Sequence, residues 1–502
     1  MKRPRIELAV VLAALIVLSA AATWYVSQSG WTLYYGDAEA HLNIARRVLD
    51  SRTPGYNQIG TPWLPLPVAL TMLFVQYDPW WRNGLAGAIP SSACFVLACA
   101  FLFATVRRVT GSSAAAFASA GILALNPNLL YLQATPMTEP IFLAAFMALL
   151  YFTILFRDTQ SMWAAAGAGF ASCAASLSRY EGWVLIPFVA LYFLFAARRQ
   201  KLRVAIVFGA IASLAPIYWI LHNWWMYWNP LEFFDGPYSA KGIYQRALAQ
   251  HMPASPGDHD WKKSWQFFRT TARVCVGWGA VLIGAVGFLG SIWKRALWPL
   301  FLTAIPPVFY IWRMHAGESP IFMPGLWFSS YYNTRYALSV LPMLAIAGAG
   351  VVFFAPVRWR PAVAACAVAV AITPWLIYHQ PDDWVCWKES EVNSIQRRAW
   401  MHQAAQLLSA EYHPGTGIYT SLGDDGIGIL REAGIPLRDA LRDANGLTWM
   451  IATERPELFL HEQWALAVPG DPVARAVGKG RYHRVLTIAK PYEPVIQVYK
   501  RD

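Results

Sequence analysis

Charge is scarce in this sequence: Asp, Glu, Lys and Arg make up 14% of its 502 residues, against about 25% in ordinary soluble domains. With 56% hydrophobic residues and a mean hydropathy of +0.34, that shortage excludes a soluble enzyme of this length and implies a polytopic membrane protein. Cysteine is scarce as well. Of the six, Cys94, Cys99, Cys173 and Cys366 lie in apolar runs, Cys275 near the start of one, and Cys386 alone in the polar tail; neither a disulfide framework nor a zinc ribbon is supported. Repeats and low-complexity segments are missing. Acids are outnumbered, 29 against 41 Lys and Arg, for a net charge of +12. On a soluble protein that excess would suggest nucleic acid. Here it falls in short clusters between apolar runs, which ties it to membrane orientation and leaves no nucleic-acid partner to expect.

What is present is a series of long apolar runs, the first in "MKRPRIELAVVLAALIVLSAAATWYV". Its apolar stretch of roughly 18 residues exceeds the usual signal-peptide core of about 7 to 15. It is therefore expected to be a retained span, with Lys2, Arg3 and Arg5 in the cytoplasm. Met162 to Ala196 is nearly apolar over about 35 residues, the length of two spans. Its only charges are Arg179 and Glu181, in "SRYEGW". Burying that pair at mid-membrane would cost roughly 5 to 7 kcal/mol, so the turn is expected there. The stretch from Ser113 to Phe156 is expected to break at "TPMTEP", where Pro140 lacks the amide hydrogen of a helix interior.

Arg107 with Arg108, "ARRQKLR" from Ala197, Lys294 with Arg295, and Arg358 with Arg360 fall at alternate loops, which are expected to be cytoplasmic. The loops between them then face outward. The first outer loop breaks the rule with Arg46, Arg47 and Arg52, an exception that a helix lying along the interface would explain. "WLPLPVALTMLFVQY" from Trp63 is short for a span and suits a re-entrant or interfacial segment. The expected architecture is mainly α: a polytopic helical bundle of roughly 11 to 13 spans over residues 1–378, its first outer loop at 28–62. Residues 379–502 have ordinary soluble composition. Alternating runs "GIYTSL", "WMIAT", "YHRVLTIA" and "VIQVYK" predict a small extracytoplasmic α/β domain there. The expected location is the plasma (inner) membrane, multi-pass, with a cytoplasmic N-terminus.

Several outward residues combine charge with useful spacing, and each has a plain structural alternative. Asp37 can cap a helix after Gly36, with Glu39 favourable in its first turn; if the helix already includes Asp37, His41 lies one turn on and both can line a cleft. Thr138 or Glu139 can cap the next helix. Arg179 and Glu181 can form a surface ion pair, worth about 0 to 1 kcal/mol. His222 and Asn223 sit beside Trp224, Trp225, Tyr227 and Trp228, as an aromatic belt would. Arg335 and Tyr336 can be a snorkelling anchor. "GDDG" from Gly423 resembles a turn or helix cap. What favours function is convergence: all the membrane motifs map to one face, where a cleft could hold a lipid carrier in the spans and its polar head among acids and arginines.

"YYGDAEAHLNIARRVLDS" with "TPWLPLPVAL", then "LNPNLLYLQATPMTEPIFL", "SRYEGW" and "TRYALSVLP", resemble in order and spacing the GT-C superfamily of polytopic glycosyltransferases. The resemblance is nearest to the branch of protein O-mannosyltransferases and lipid A aminoarabinose transferases, and covers about Leu8 to Phe354. It implies a sugar donor on a polyprenyl phosphate, a catalytic acid in the first outer loop, matched by Asp37, and a second in the next, matched by Glu139. The pattern departs from the branch in reading Asp-Ala-Glu where adjacent acids are usual, which leaves the role of Glu39 open. As general base, Asp37 would activate an acceptor hydroxyl for in-line displacement of the lipid phosphate with inversion. Glu139 could orient the acceptor or keep the proton affinity of Asp37 high. Arg179 and Arg335 would receive the leaving phosphate, with His222 behind them, and Glu39, His41, Glu181 and Tyr336 complete the substrate-binding set. No required metal or other cofactor is expected, although Asp37, Glu39, His41 and Glu139 could supply ligands to a divalent cation. The expected partners are the donor, membrane lipid and a glycan, lipid or protein acceptor. A transporter or flippase of lipid-linked saccharides remains the alternative from another class, and a ligase or polymerase of lipid-linked glycans the nearer one.

Overall fold

A computed structural model describes residues 2–491 and 494–502; the side chains of residues 2–5 and of Asp425 lie outside the described residues, and with them the expectation for Lys2, Arg3 and Arg5. Compactness divides the chain into two units: Met1–Ser29, Thr61–Pro67 and Ala88–Glu389 form the first, and Gly30–Gly60, Val68–Gly87 and Ser390–Asp502 the second. Composition alone had separated residues 1–378 from 379–502, with the first outer loop in the helical part.

The first unit is helical. By length and composition, six described helices can cross a membrane: Ile6–Gln28, Leu85–Thr110, Glu139–Thr159, Lys201–Tyr227, Thr334–Phe354 and Val357–Ile377. Two bent pairs, Ser113–Ala124 with Pro127–Gln133 at 69° and Trp261–Val276 with Trp278–Trp293 at 101°, would raise the number to eight only if each pair formed one span. Glu181–Ala196 is a shorter apolar helix of 16 residues, and Met162–Ser176 and Leu297–His315 are further helices of this unit; by length and composition the candidate spans number six to eight among the described residues, against the roughly 11 to 13 expected. The two breaks expected from charge and proline are present. Residues 177–180 separate Met162–Ser176 from Glu181–Ala196, and residues 134–138 precede Glu139–Thr159. Pro65–Met72 has only eight residues, about 12 Å of helix at 1.5 Å per residue, and cannot cross.

The turn at residues 177–180 depends on one small residue. A Cβ on Gly182 would lie 2.6 Å from the carbonyl carbon and 2.7 Å from the oxygen of Ala175, the backbone of the helix it folds back on. Gly182→Ala is therefore expected to cost about 1–3 kcal/mol, since backbone cannot retreat as a side chain can. Thermal unfolding of the purified protein checks this, against an unchanged midpoint for Gly209→Ala, whose Cβ would meet nothing within 4 Å.

The second unit contains a five-stranded mixed sheet of order β2-β1-β3-β5-β4, built from β1 (Ile418–Thr420), β2 (Ala440–Arg442), β3 (Trp464–Ala467), β4 (Tyr482–Ile488) and β5 (Ile496–Arg501). The first three strands are parallel, and β5 pairs antiparallel with both β3 and β4. "WMIAT", expected as a strand, is instead part of the helix Leu447–Glu454. Gly446 before it and Pro456 after it fit helix ends, and Trp449 and Ala452 pack on the sheet core with Tyr419, Leu441 and Ala465. Periodicity over five apolar residues cannot distinguish a covering helix from a strand.

Gly36–Leu49 is a helix, but not one lying free along an interface: residues 38–45 are all buried. The arginines that broke the charge rule are used inside this unit. Arg46 donates to the Val75 carbonyl at 2.9 Å and to Asp50 at 3.0 Å. Arg47 donates to the Gln58 carbonyl at 2.7 Å and lies 3.5 Å from Asp424, and Arg52 pairs with Glu462 at 2.5 Å. "GDDG" does open a helix, Gly423–Ala433. Burial raises the Asp424 carboxyl above the usual range while Arg47 and Arg442 act against that rise.

Candidate active site

Five of the residues singled out from sequence meet in the first unit. Glu139 is the first residue of Glu139–Thr159, Arg179 sits in the turn before Glu181–Ala196, and Arg335 and Tyr336 lie in the 3-10 turn Thr334–Val340. Arg179 donates from Nε to Glu181 Oε1 at 2.6 Å, from Nη1 to Glu139 Oε1 at 3.0 Å and Thr138 Oγ1 at 2.7 Å, and from Nη2 to the Tyr310 hydroxyl at 2.7 Å. Arg335 donates from Nε to the same Glu139 Oε1 at 3.1 Å and from Nη1 to Glu389 Oε1 at 3.3 Å. Glu389, Arg335, Glu139, Arg179 and Glu181 thus form one alternating chain of charge. Tyr310 donates to Glu181 Oε1 at 2.5 Å and stacks on Tyr336 at 4.7 Å, and both guanidinium carbons lie over the Tyr336 ring, at 5.3 and 4.9 Å.

These contacts exclude three of the plain alternatives. Thr138 is the N-cap residue of its helix but makes no side-chain cap bond; its hydroxyl accepts from Arg179. The Arg179–Glu181 pair is buried, with side chains 13% and 5% exposed, and is no surface salt bridge. Arg335, 5% exposed, is held between two carboxylates and does not snorkel.

Two members were not foreseen. Tyr310 lies inside an apolar run, where its hydroxyl was the only sign. Glu389 lies in "WKESEV", a stretch of soluble composition, and nothing local marks it. Its carboxylate accepts from the backbone amides of Asn333 at 2.8 Å and Thr334 at 2.7 Å, and from the Thr334 hydroxyl. Burial raises the Glu389 carboxyl above the usual range, and Arg335 with those donors acts against it.

The cluster lines a cavity of about 50 Å³ that is partly open to its surroundings. Glu139, Arg179, Glu181, Tyr310, Arg335 and Tyr336 are its polar lining; Leu123, Leu129, Leu132, Phe142, Leu143, Phe146 and Leu341 are among its apolar walls. A mainly apolar lining that includes two guanidiniums suits an amphiphile with an anionic head.

The remaining candidates are elsewhere. His222 is 3% exposed and stacks on Trp219 at 4.5 Å, while Asn223 accepts from Thr61 at 2.6 Å; neither lines the cavity. Trp225 and Trp228, 76% and 86% exposed, fit the aromatic belt. Asp37, Glu39 and His41 belong to the second unit. Asp37 is half-buried in the first turn of Gly36–Leu49, whose N-cap is Tyr35, so it is not the cap. His41 is buried one turn on. Glu39 accepts from Arg431 at 2.7 Å and faces Arg397 at 3.7 Å. Among the described residues no three His, Cys, Asp or Glu side chains form a metal-binding group.

Comparison with known proteins agrees with the motifs. The family model for dolichyl-phosphate-mannose-protein mannosyltransferases matches residues 80–225. In fold the chain is similar to ArnT from Cupriavidus metallidurans bound to undecaprenyl phosphate, at a TM-score of 0.53 and 13% identity over 95% of this chain and 97% of that one. The apo state of the same protein gives 0.50 and 14% over the same shares. No curated protein matches in sequence. The fold is similar to that of ArnT, and six or more of the described helices are long and apolar enough to cross a membrane, as a multi-pass membrane protein requires.

Proposed function

We propose that this GT-C-fold chain moves a sugar from a polyprenyl-phosphate-linked donor to an acceptor on the extracytoplasmic face of the plasma membrane. The cavity carries this reading: its apolar walls match a polyprenyl tail, and Arg179 and Arg335 in its lining match a phosphate. ArnT, the fold neighbour, was solved with undecaprenyl phosphate bound. The charge count sets a condition. Two guanidiniums face three carboxylates, a balance of one net negative charge, so an entering phosphate adds to that excess unless carboxylates withdraw or take protons. Glu139 Oε1, which accepts from both arginines, occupies the place a bridging phosphate oxygen would take.

In the proposed step an acceptor hydroxyl oxygen attacks the anomeric carbon, its proton passes to Asp37, and the bond from that carbon to the phosphate oxygen breaks in line, inverting the centre. The leaving polyprenyl phosphate keeps the bonding pair, and its charge is met by the guanidiniums. Asp37 is assigned from the sequence pattern and the resemblance. Guanidiniums in that role make a resident divalent cation unnecessary, so treatment with a chelator is expected to leave transfer unchanged. A transport reading is disfavoured by the placement of the charges in turns and at helix starts, where an interrupted-helix transporter would hold them within the span.

The test incubates membranes containing the protein with a panel of polyprenyl-phosphate sugars and follows transfer by mass spectrometry. Asp37→Asn is expected to lower product by about 10²–10⁴-fold, the range for a lost general base. Equal product from both proteins removes Asp37 from the mechanism, and no product from any donor returns the chain to the transporter reading.

A further inference from the structure

The helix Trp261–Val276 contains four cations and no acid. Lys262, Lys263, Arg269 and Arg273 are all exposed, and no ion pair engages them among the described residues. At 3.6 residues per turn, Trp261, Lys262, Trp265, Arg269 and Arg273 fall within about 120° of the helix circumference. The two indoles on that arc are 55% and 51% exposed. The opposite side is buried, through Ser264, Phe267, Phe268, Thr271 and Cys275.

The next helix gives that face a setting. Trp278–Trp293 is apolar and presents Leu282, Leu289 and Trp293 at 50%, 69% and 67% exposure, a surface suited to acyl chains. Gly277, with φ at +81°, ends the cationic helix and opens a bend of 101°. A helix at nearly a right angle to a span runs along the bilayer surface, at the level of the headgroups. Indole and long basic side chains are the residue types that settle there.

We propose that this face binds the headgroups of anionic glycerophospholipids and seats the helix on the membrane surface. Its occupant is a bilayer surface and not a soluble anion, because the indoles need an apolar layer beside the phosphates. The face is separate from the cavity and does not depend on the transferase reading.

The test reconstitutes the full chain in nanodiscs of mixed phosphatidylglycerol and phosphatidylcholine and counts retained lipids by native mass spectrometry. The wild-type protein is expected to prefer phosphatidylglycerol, by roughly fivefold for each cation at the surface. In the triple variant K262Q, R269Q, R273Q that ratio is expected to fall toward one, while R269K with R273K keeps it. Binding of undecaprenyl phosphate by the triple variant is expected to be unchanged, which also shows that it is folded. An unaltered ratio in the triple variant overturns the proposal. So does loss of the bound lipid to millimolar inorganic phosphate, which would make the face a site for a free anion.

Discussion

Arg335→Ala is expected to reduce sugar transfer by about 10²–10³-fold, the scale set by removing one preorganised donor from a developing negative charge. The loss has two sources. The leaving phosphate loses a guanidinium, and Glu139 and Glu389 lose the cation between them. A buried charge left without its partner costs about 3–5 kcal/mol, so the variant should also unfold at lower temperature. Arg335→Lys separates the effects. It restores charge but not the geometry in which Nε reaches Glu139 while Nη1 reaches Glu389, so stability should recover more than turnover. The measurement pairs thermal unfolding with transfer from a polyprenyl-phosphate donor. If Arg335→Ala transfers sugar at the wild-type rate, the guanidinium does not receive the phosphate.

A related expectation concerns pH. The Glu389 carboxyl is raised by burial, so its neutral form becomes available at a higher pH than for an exposed glutamate. As pH falls through that range one of the three carboxylates loses its charge, and binding of undecaprenyl phosphate is expected to tighten. Glu389→Gln, neutral at every pH, should bind more tightly and lose this dependence; an identical pH profile in both proteins would show that Glu389 does not gate the anion.

The membrane motifs were legible because charge in an apolar run has few explanations. Arg179 with Glu181 and the proline-flanked Glu139 each had to mark a break, and each stands at one. Glu389 was illegible for the opposite reason: in a stretch of average polarity another glutamate is unremarkable, and only the long-range contact with Arg335, Asn333 and Thr334 distinguishes it. The first outer loop misled in a similar way. Sequence order assigns it to the spans that flank it, yet Gly30–Gly60 forms a compact unit with residues 390–502. Arg46, Arg47 and Arg52 looked anomalous because the positive-inside rule counts charges and takes no account of the carbonyls and carboxylates that hold them.

Glu39 shows how that second unit separates residues that lie close in the sequence. Its carboxylate is 4% exposed and stands between Arg431 at 2.7 Å and Arg397 at 3.7 Å. Arg431 also donates to the Arg82 carbonyl at 2.7 Å, and Arg397 to the Tyr34 carbonyl at 2.9 Å. One carboxylate therefore links the helix Gly36–Leu49 to Ile395–Glu411 and Gly423–Ala433 and, through the two arginines, to the helix Asp78–Asn83 and the loop at Tyr34. Glu39→Ala removes it and leaves two buried guanidiniums facing each other, at an expected cost of about 3–5 kcal/mol. Glu39→Gln keeps the shape and some hydrogen bonding and should cost less. Asp37, two positions earlier, is only half-buried, and Asp37→Asn keeps the size of the side chain and its capacity to accept a hydrogen bond, so it should cost less stability than Glu39→Ala while transfer falls. Thermal unfolding and turnover measured on both variants would then move apart: Glu39→Ala would lose the fold first, and Asp37→Asn the chemistry. If instead Glu39→Ala unfolds at the wild-type temperature, its carboxylate does not hold the unit together, and a part in substrate binding becomes the better account of why it lies beside Asp37.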